Sequence, residues 1–396
     1  MLESSRLKPH FFTRERLLGF PTVLTFLLTG VQRAVQSELD QFFANLRNRA
    51  DSTRQVTAQA FAKARYKISA AVFGEVNRHL MARVEAHLGF PRWCGLRVVA
   101  ADGSAVRLTM MKNGVRSIVE GVGFGLYLPG IELFLDFVLH EPVCNERQML
   151  FERLDLVGKD DLLVLDRGFP CRWLAAVLTA RAIPFCIRCD IASGFKVVRD
   201  FLRSGEVERV VSLRAPDAQD AADYACPATP TKVRLVRVVT PNGRVHVVMT
   251  SLFDTAQYPA SAFACLYHGR WRVEEAYKRI KHRLGLEHTT GLSWHAAQQD
   301  FGAKALCDNL NALAAYVATD ACLDPDSPYK INRTQAFDKI KRQLGRWLLV
   351  FTHVTARHLK PVLEELARNL QKFVPERSRP RPGGPKPHRH HAYKGS

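Results

Sequence analysis

The sequence predicts an α/β protein: a core of strands and helices that carries a β-rich insertion and is flanked by helical N- and C-terminal regions. Three stretches of pattern lead there. Up to about Pro91, apolar residues recur at spacings of three and four, the helical period, with few strand-like runs. From Leu96, short apolar runs bounded by Gly, Pro and Asp take over, as expected of strands. After residue 250 the helical spacing returns and continues to about residue 372.

The first region, 1–95, is expected to be helical, and because the first hundred residues carry fifteen basic against seven acidic side chains it is expected to be a DNA-binding domain. Within 56–71, Phe61, Ala64, Ile68 and Val72 fall on one helical face. Gln59, Lys63, Tyr66 and Lys67 fall on another, which suits either a DNA groove or a solvated basic face. The apolar stretch Phe20–Leu28 is too short to span a bilayer and reads as a buried helix. The core occupies 96–190 and 251–325. Its first three strands, 98–102, 121–127 and 131–140, are expected to be antiparallel, with Leu128-Pro129-Gly130 turning between the last two. A helix over 145–154, a strand over 162–165, a helix over 172–182 and a strand over Phe185–Cys189 follow. The insertion, 191–250, holds strand-like runs at Glu208–Leu213, 232–239 and Val245–Thr250, with Pro241-Asn242-Gly243 as a hairpin turn. Helices are then expected over 296–319 and 333–372, the latter within a C-terminal helical region, 326–372. The remainder, 373–396, is too rich in Pro, Gly and charge to fold alone and reads as a basic disordered tail.

The most informative stretch is 267–281, YHGRWRVEEAYKRIK, with the spacing Tyr267-x2-Arg270-x3-Glu274-x6-Lys281. A helix turns by about 100° per residue, so these four residues share an arc of roughly 60°. Val273, Ala276, Tyr277, Ile280 and Leu284 make an apolar arc beside it. One carboxylate flanked by cations suits a divalent ion with phosphate oxygens close by. Upstream, two strand-like runs each end in Asp followed closely by Gly: Asp102-Gly103-Ser104 and Asp166-Arg167-Gly168-Phe169.

Together the three motifs resemble the insertion-sequence transposases of the family numbered four, a branch of the DDE transposases with a Tyr-Arg-Glu-Lys signature. That family has Asp-Arg-Gly-Tyr where this chain has Phe169, a departure at one position. The resemblance implies a ribonuclease H-like core, and the predicted order of three antiparallel strands, helix, strand, helix and strand agrees with it. It further implies that Asp102, Asp166 and Glu274 are the catalytic carboxylates and hold two Mg2+ (or Mn2+) ions, hard cations that suit oxygen donors. By the same resemblance the chain cleaves transposon ends and joins the 3'-hydroxyl to target DNA, as a homodimer on DNA. Tyr267, Arg270 and Lys281 are then expected to grip backbone phosphates, and Gln59, Lys63 and Lys67 to meet DNA from the N-terminal region. Two other readings stay open at this point: a metal-dependent nuclease or resolvase, and a non-catalytic DNA-binding protein derived from a transposase.

Charge points to the same partner. With 57 Lys and Arg against 38 Asp and Glu, the 396-residue chain carries a formal charge of +19, as expected for one that meets a polyanion. No run is long enough for a membrane span and none has the layout of a signal peptide, so a cytoplasmic, nucleoid-associated location is expected. The nine cysteines are scattered, and Cys186-x2-Cys189 reads as two small strand residues, not as half of a zinc site. Trp271 is expected to pack in the core, Asp136 to be structural and Asp254 to serve a turn.

Overall fold

The computed structural model describes residues 2–190, 194–239, 243, 245–324, 327–351, 353–372 and 392–393. Pro241, Asn242 and the tail histidines His388, His390 and His391 lie outside the described residues. One large mixed sheet organises the fold. Its strands are β1 (Leu96–Lys112), β2 (Val115–Leu128), β3 (Leu133–His140), β4 (Asp161–Leu165), β5 (Phe185–Cys189), β6 (Glu208–Leu213), β7 (Thr231–Val239) and β8 (Val245–Thr250). They lie in the order β3-β2-β1-β4-β5-β8-β7-β6, and Arg92–Trp93 adds a short strand beside the start of β1. The first three are antiparallel, β4 and β5 run parallel to β1, and β8, β7 and β6 continue antiparallel.

Two departures from expectation stand out, and β2 also starts at Val115, ahead of the expected residue 121. β1 does not end at Asp102 but runs on to Lys112 and turns back through Asn113 and Gly114, both with positive φ, into β2. Val106, Leu108 and Met110 alternate inward along this added length, which is why it holds as strand. The second departure concerns the insertion. Its three strands fall at the expected places, yet β8 pairs with β5 from Cys186–Thr250 to Cys189–Val247, so the insertion extends the central sheet.

Helices cover both faces. On one lie α1 (Phe20–Leu28), α2 (Val35–Leu46), α3 (Ala58–Arg65) and the start of α4 (Val72–Leu88). The other face takes α5 (Glu146–Phe151), α6 (Arg172–Ala180) and α7 (Lys196–Ser204). The first face is completed by α8 (Ala262–Arg283), α9 (Trp294–Cys322) and α10 (Arg333–Leu349). Alternation along β4 assigns the sides: Leu162 and Val164 point toward α8, Leu163 and Leu165 toward α6. The expected helix over 333–372 is broken into α10 and α11 (Ala356–Arg368), with Thr355 capping the second. The expected helix over 145–154 is shortened to α5 followed by a 3₁₀ turn at Leu154–Leu156. α3 ends at Arg65, short of the expected residue 71, because the backbone beyond it pairs with the N-terminal segment through Ile68 and Arg6; the Arg65 guanidinium itself binds Asp300, Gln299 and the Ala296 carbonyl of α9.

Candidate active site

The site is built where β1 and β4 part. They pair in parallel from Arg97–Asp161 to Ala100–Val164, and two residues beyond that last pair stand Asp102 on β1 and Asp166 just past β4. Neighbouring strands run about 4.8 Å apart, so the two aspartates start from adjacent backbones and project to the same face. Asp166 is fixed by its own loop, where its Oδ1 accepts the Gly168 N–H at 2.7 Å. Asp102 Oδ1 likewise accepts the Gly103 N–H at 3.0 Å.

α8 brings the third carboxylate over that face. Val273, Ala276, Tyr277 and Ile280 bury against the sheet, as the apolar arc predicts. Close approach depends on Gly125, the cross-strand partner of Asp102. A Cβ at 125 would stand 2.9 Å from both the Tyr277 hydroxyl and the Phe134 ring. Tyr277 instead reaches past to donate its hydroxyl to the Asp102 carbonyl at 3.4 Å. Glu274, one turn earlier on α8, therefore faces Asp102.

Arg270 ties the two together. Its Nη2 donates to Glu274 Oε1 at 2.6 Å, and its Nη1 lies 4.0 Å from Asp102 Oδ2. Burial works against its charge, and Tyr267, Asp102 and Glu274 more than offset that, leaving its pKa above the usual guanidinium range. Only 3% of Arg270 and 5% of Tyr267 are exposed. Both side chains are thus almost wholly out of solvent. The sequence spacing placed both residues on the arc of Glu274, but the N-terminal half of α8 lies over β4 and β5 and buries that arc too. Lys281 stands apart from them, half-buried, its Nζ donating to the Ala105 carbonyl on β1. Trp271, expected in the core, is 42% exposed.

Burial pushes the Asp102 carboxyl up to about 7; Arg270 opposes this, and Glu146, Asp166 and Glu274 add to it. Four carboxylates thus act on one another here. Glu146, at the start of α5, was not anticipated. Burial and then Asp166 raise its pKa. Nothing in its sequence spacing marks it, since it arrives from the other face of the sheet. Arg147 and exposed Arg167 flank the same loops, Arg147 donating to the Gly168 carbonyl at 3.0 Å. Among the described residues no three His, Cys, Asp or Glu side chains stand close enough together to hold a metal ion.

The remaining candidates lie elsewhere. Gln59 and Lys63 are exposed on α3, whereas Lys67 falls beyond the helix, 5.6 Å from the Phe11 ring centroid. Cys186 and Cys189 are buried on β5, away from the carboxylates. Asp136 is buried near Arg153, and Asp254 Oδ1 accepts two turn N–H groups. Among the described residues no helix is long and apolar enough to cross a membrane.

Residues 126–310 match the family described as Transposase DDE domain; the match contains Asp166 and Glu274 and begins after Asp102. A curated relative, the transposase InsG for insertion sequence element IS4 of Escherichia coli (strain K12), is 22% identical over 208 residues, 49% of this chain. The alignment spans 46% of that relative, so the chain matches about half its length. Among solved structures, the piggyBac transposase synaptic complex with hairpin DNA aligns at a TM-score of 0.42 and 10% identity, covering 93% of this chain and 81% of that one. That likeness is too loose to assign a fold. The similarity of β3 to β8 and of α8 to known proteins therefore rests on the transposase DDE domain, over the residues that carry two of the three carboxylates.

Proposed function

We propose that this chain is a DDE transposase: an enzyme that cleaves transposon ends and joins the freed 3'-hydroxyl to target DNA on a ribonuclease H-like core. The observation that carries the reading is the placement of Asp102 and Asp166 at the ends of adjacent parallel strands, with Glu274 held by Arg270 on the helix above them, beside and within a stretch similar to the transposase DDE domain. The strand order β3-β2-β1-β4-β5, with three antiparallel strands followed by two parallel ones, supports the core assignment.

The donors are carboxylate oxygens, and burial together with three carboxylate neighbours leaves Asp102 short of positive charge. This chemistry fits Mg2+ or Mn2+ and disfavours zinc. Asp102, Asp166 and Glu274 would hold two such ions. When bound, they supply an activated oxygen nucleophile and neutralise the leaving oxygen. The protein's own part is positional. Arg270 holds Glu274 and Asp102 in register, Tyr277 fixes α8 on the strand that carries Asp102, and the Gly168 N–H orients Asp166. Lys281, Arg147 and Arg167 would meet backbone phosphates, and Gln59 and Lys63 would extend that contact from α3. Tyr267 and Arg270 take a supporting role behind the carboxylates. Two transposon ends call for two protomers, a homodimer on DNA.

The reading is tested by incubating the protein and Mg2+ with DNA that flanks its own gene. Cleavage at the element ends with joining to a second duplex is the expected outcome. Cleavage without joining would make it a nuclease or resolvase, and neither product would make it a DNA-binding protein only.

A further inference from the structure

The geometry points to Glu146 as a fourth carboxylate donor of this site, one that joins Asp166 in holding a divalent cation; this rests on the carboxylate site proposed above. Glu146 follows the N-cap Asn145, whose side chain accepts the Gln148 N–H, and Met149 and Leu150 anchor the short helix in the core. Its carboxylate is thereby laid against two glycines. A Cβ on Gly103 would stand 2.3 Å from Glu146 Oε1, and one on Gly168 would stand 3.7 Å from Glu146 Oε2 and 3.1 Å from Asp166 Oδ1. The space beside Asp102 that a side chain at 103 would fill is thus taken by a carboxylate from α5.

The charges around it are unbalanced. Among the described residues, no side-chain hydrogen bond or ion pair reaches Glu146. Its neighbour Arg147 donates instead to the Gly168 carbonyl. Arg270, the buried cation of the site, is committed to Glu274 and Asp102. A carboxylate set into protein beside another carboxylate, with no cation, is unfavourable unless a cation enters. Glu146 and Asp166, which share the Gly168 loop, are where the positive charge is missing.

The test is a Mn2+ titration of the full chain without DNA, following free Mn2+ by electron paramagnetic resonance. Glu146→Gln should weaken binding by about 10-fold or more. Gly103→Ala should weaken it in the same direction, because its methyl group displaces the Glu146 carboxylate. Asp166→Asn should also lose affinity. Wild-type titration by Glu146→Gln alongside a loss in Asp166→Asn would overturn the role of Glu146 and leave the proposed function standing. Wild-type titration by both variants would overturn the two together. Metal-free melting separates a structural role: Glu146→Gln should melt no lower than wild type, since it removes an uncompensated charge. A lower melting temperature with unchanged Mn2+ affinity would make Glu146 structural and contradict the inference.

Discussion

Arg270 shows how a residue's neighbours decide its role. Sitting one helical turn from Glu274, it reads in sequence as a phosphate grip. In the fold it is buried between two carboxylates. Helical arithmetic identifies which residues share an arc but not which arc the sheet covers, and that information lies in β4 and β5, more than a hundred positions upstream in part. The two roles predict different things. Removing a buried ion-pair partner leaves an uncompensated charge, so Arg270→Gln should destabilise the metal-free protein by about 3 kcal/mol in denaturant unfolding. Lys281→Ala should instead keep stability and lower the salt slope of DNA binding by about one unit. Unchanged stability in Arg270→Gln would return that residue to the DNA. Asp102 supplies a pH test. Its folded pKa is raised to about 7, so the unfolded chain releases this proton first. The metal-free fold therefore loses stability as pH rises from about 4 toward 7. Asp102→Asn should melt above wild type at pH 7.5 in EDTA, and the gap should close toward pH 4. A gap independent of pH would contradict the assigned shift.

At the scale of elements, much of the core was legible because strands and helices there follow their periods. α8 buries the predicted apolar arc, and β6, β7 and β8 fall where strand-like runs stand. What the periods left out was pairing. The extension of β1 past Asp102 had a readable sign, since Val106, Leu108 and Met110 alternate and Asn113-Gly114 is a hairpin turn. The docking of β8 on β5 had none, because both strands are apolar and long-range pairing leaves no local pattern. Glu146 stayed hidden for the same reason: its partner is the missing side chain of Gly103, across the sheet. The fit of α8 to the sheet through Gly125 is open to a steric test. Gly125→Ala should push Tyr277 and Phe134 aside and cost about 1–3 kcal/mol. Wild-type stability in urea would show that α8 has slack above Asp102.

Across the whole molecule, the N-terminal helices share one apolar cluster with α8, α9 and α10. Arg65 of α3 joins Asp300 of α9 in an ion pair almost wholly out of solvent, and Gln299 accepts from the same guanidinium. Contacts made by the first region thus bear on the frame that carries Glu274. Asp300→Ala should destabilise the entire chain by about 3–5 kcal/mol in a single unfolding transition. An early, separate transition would instead mark 1–95 as an independent unit. The formal charge of +19 suits a polyanionic partner, while in the function proposed above the chemistry is assigned to a few carboxylates. The most direct measurement of that claim compares wild type with Glu274→Gln on a labelled transposon-end duplex in Mg2+, scoring cleavage and binding on the same samples. The account predicts that Glu274→Gln binds the duplex as wild type does and yields no cleaved product. Mg2+-dependent cleavage by Glu274→Gln at a rate comparable to wild type would contradict it.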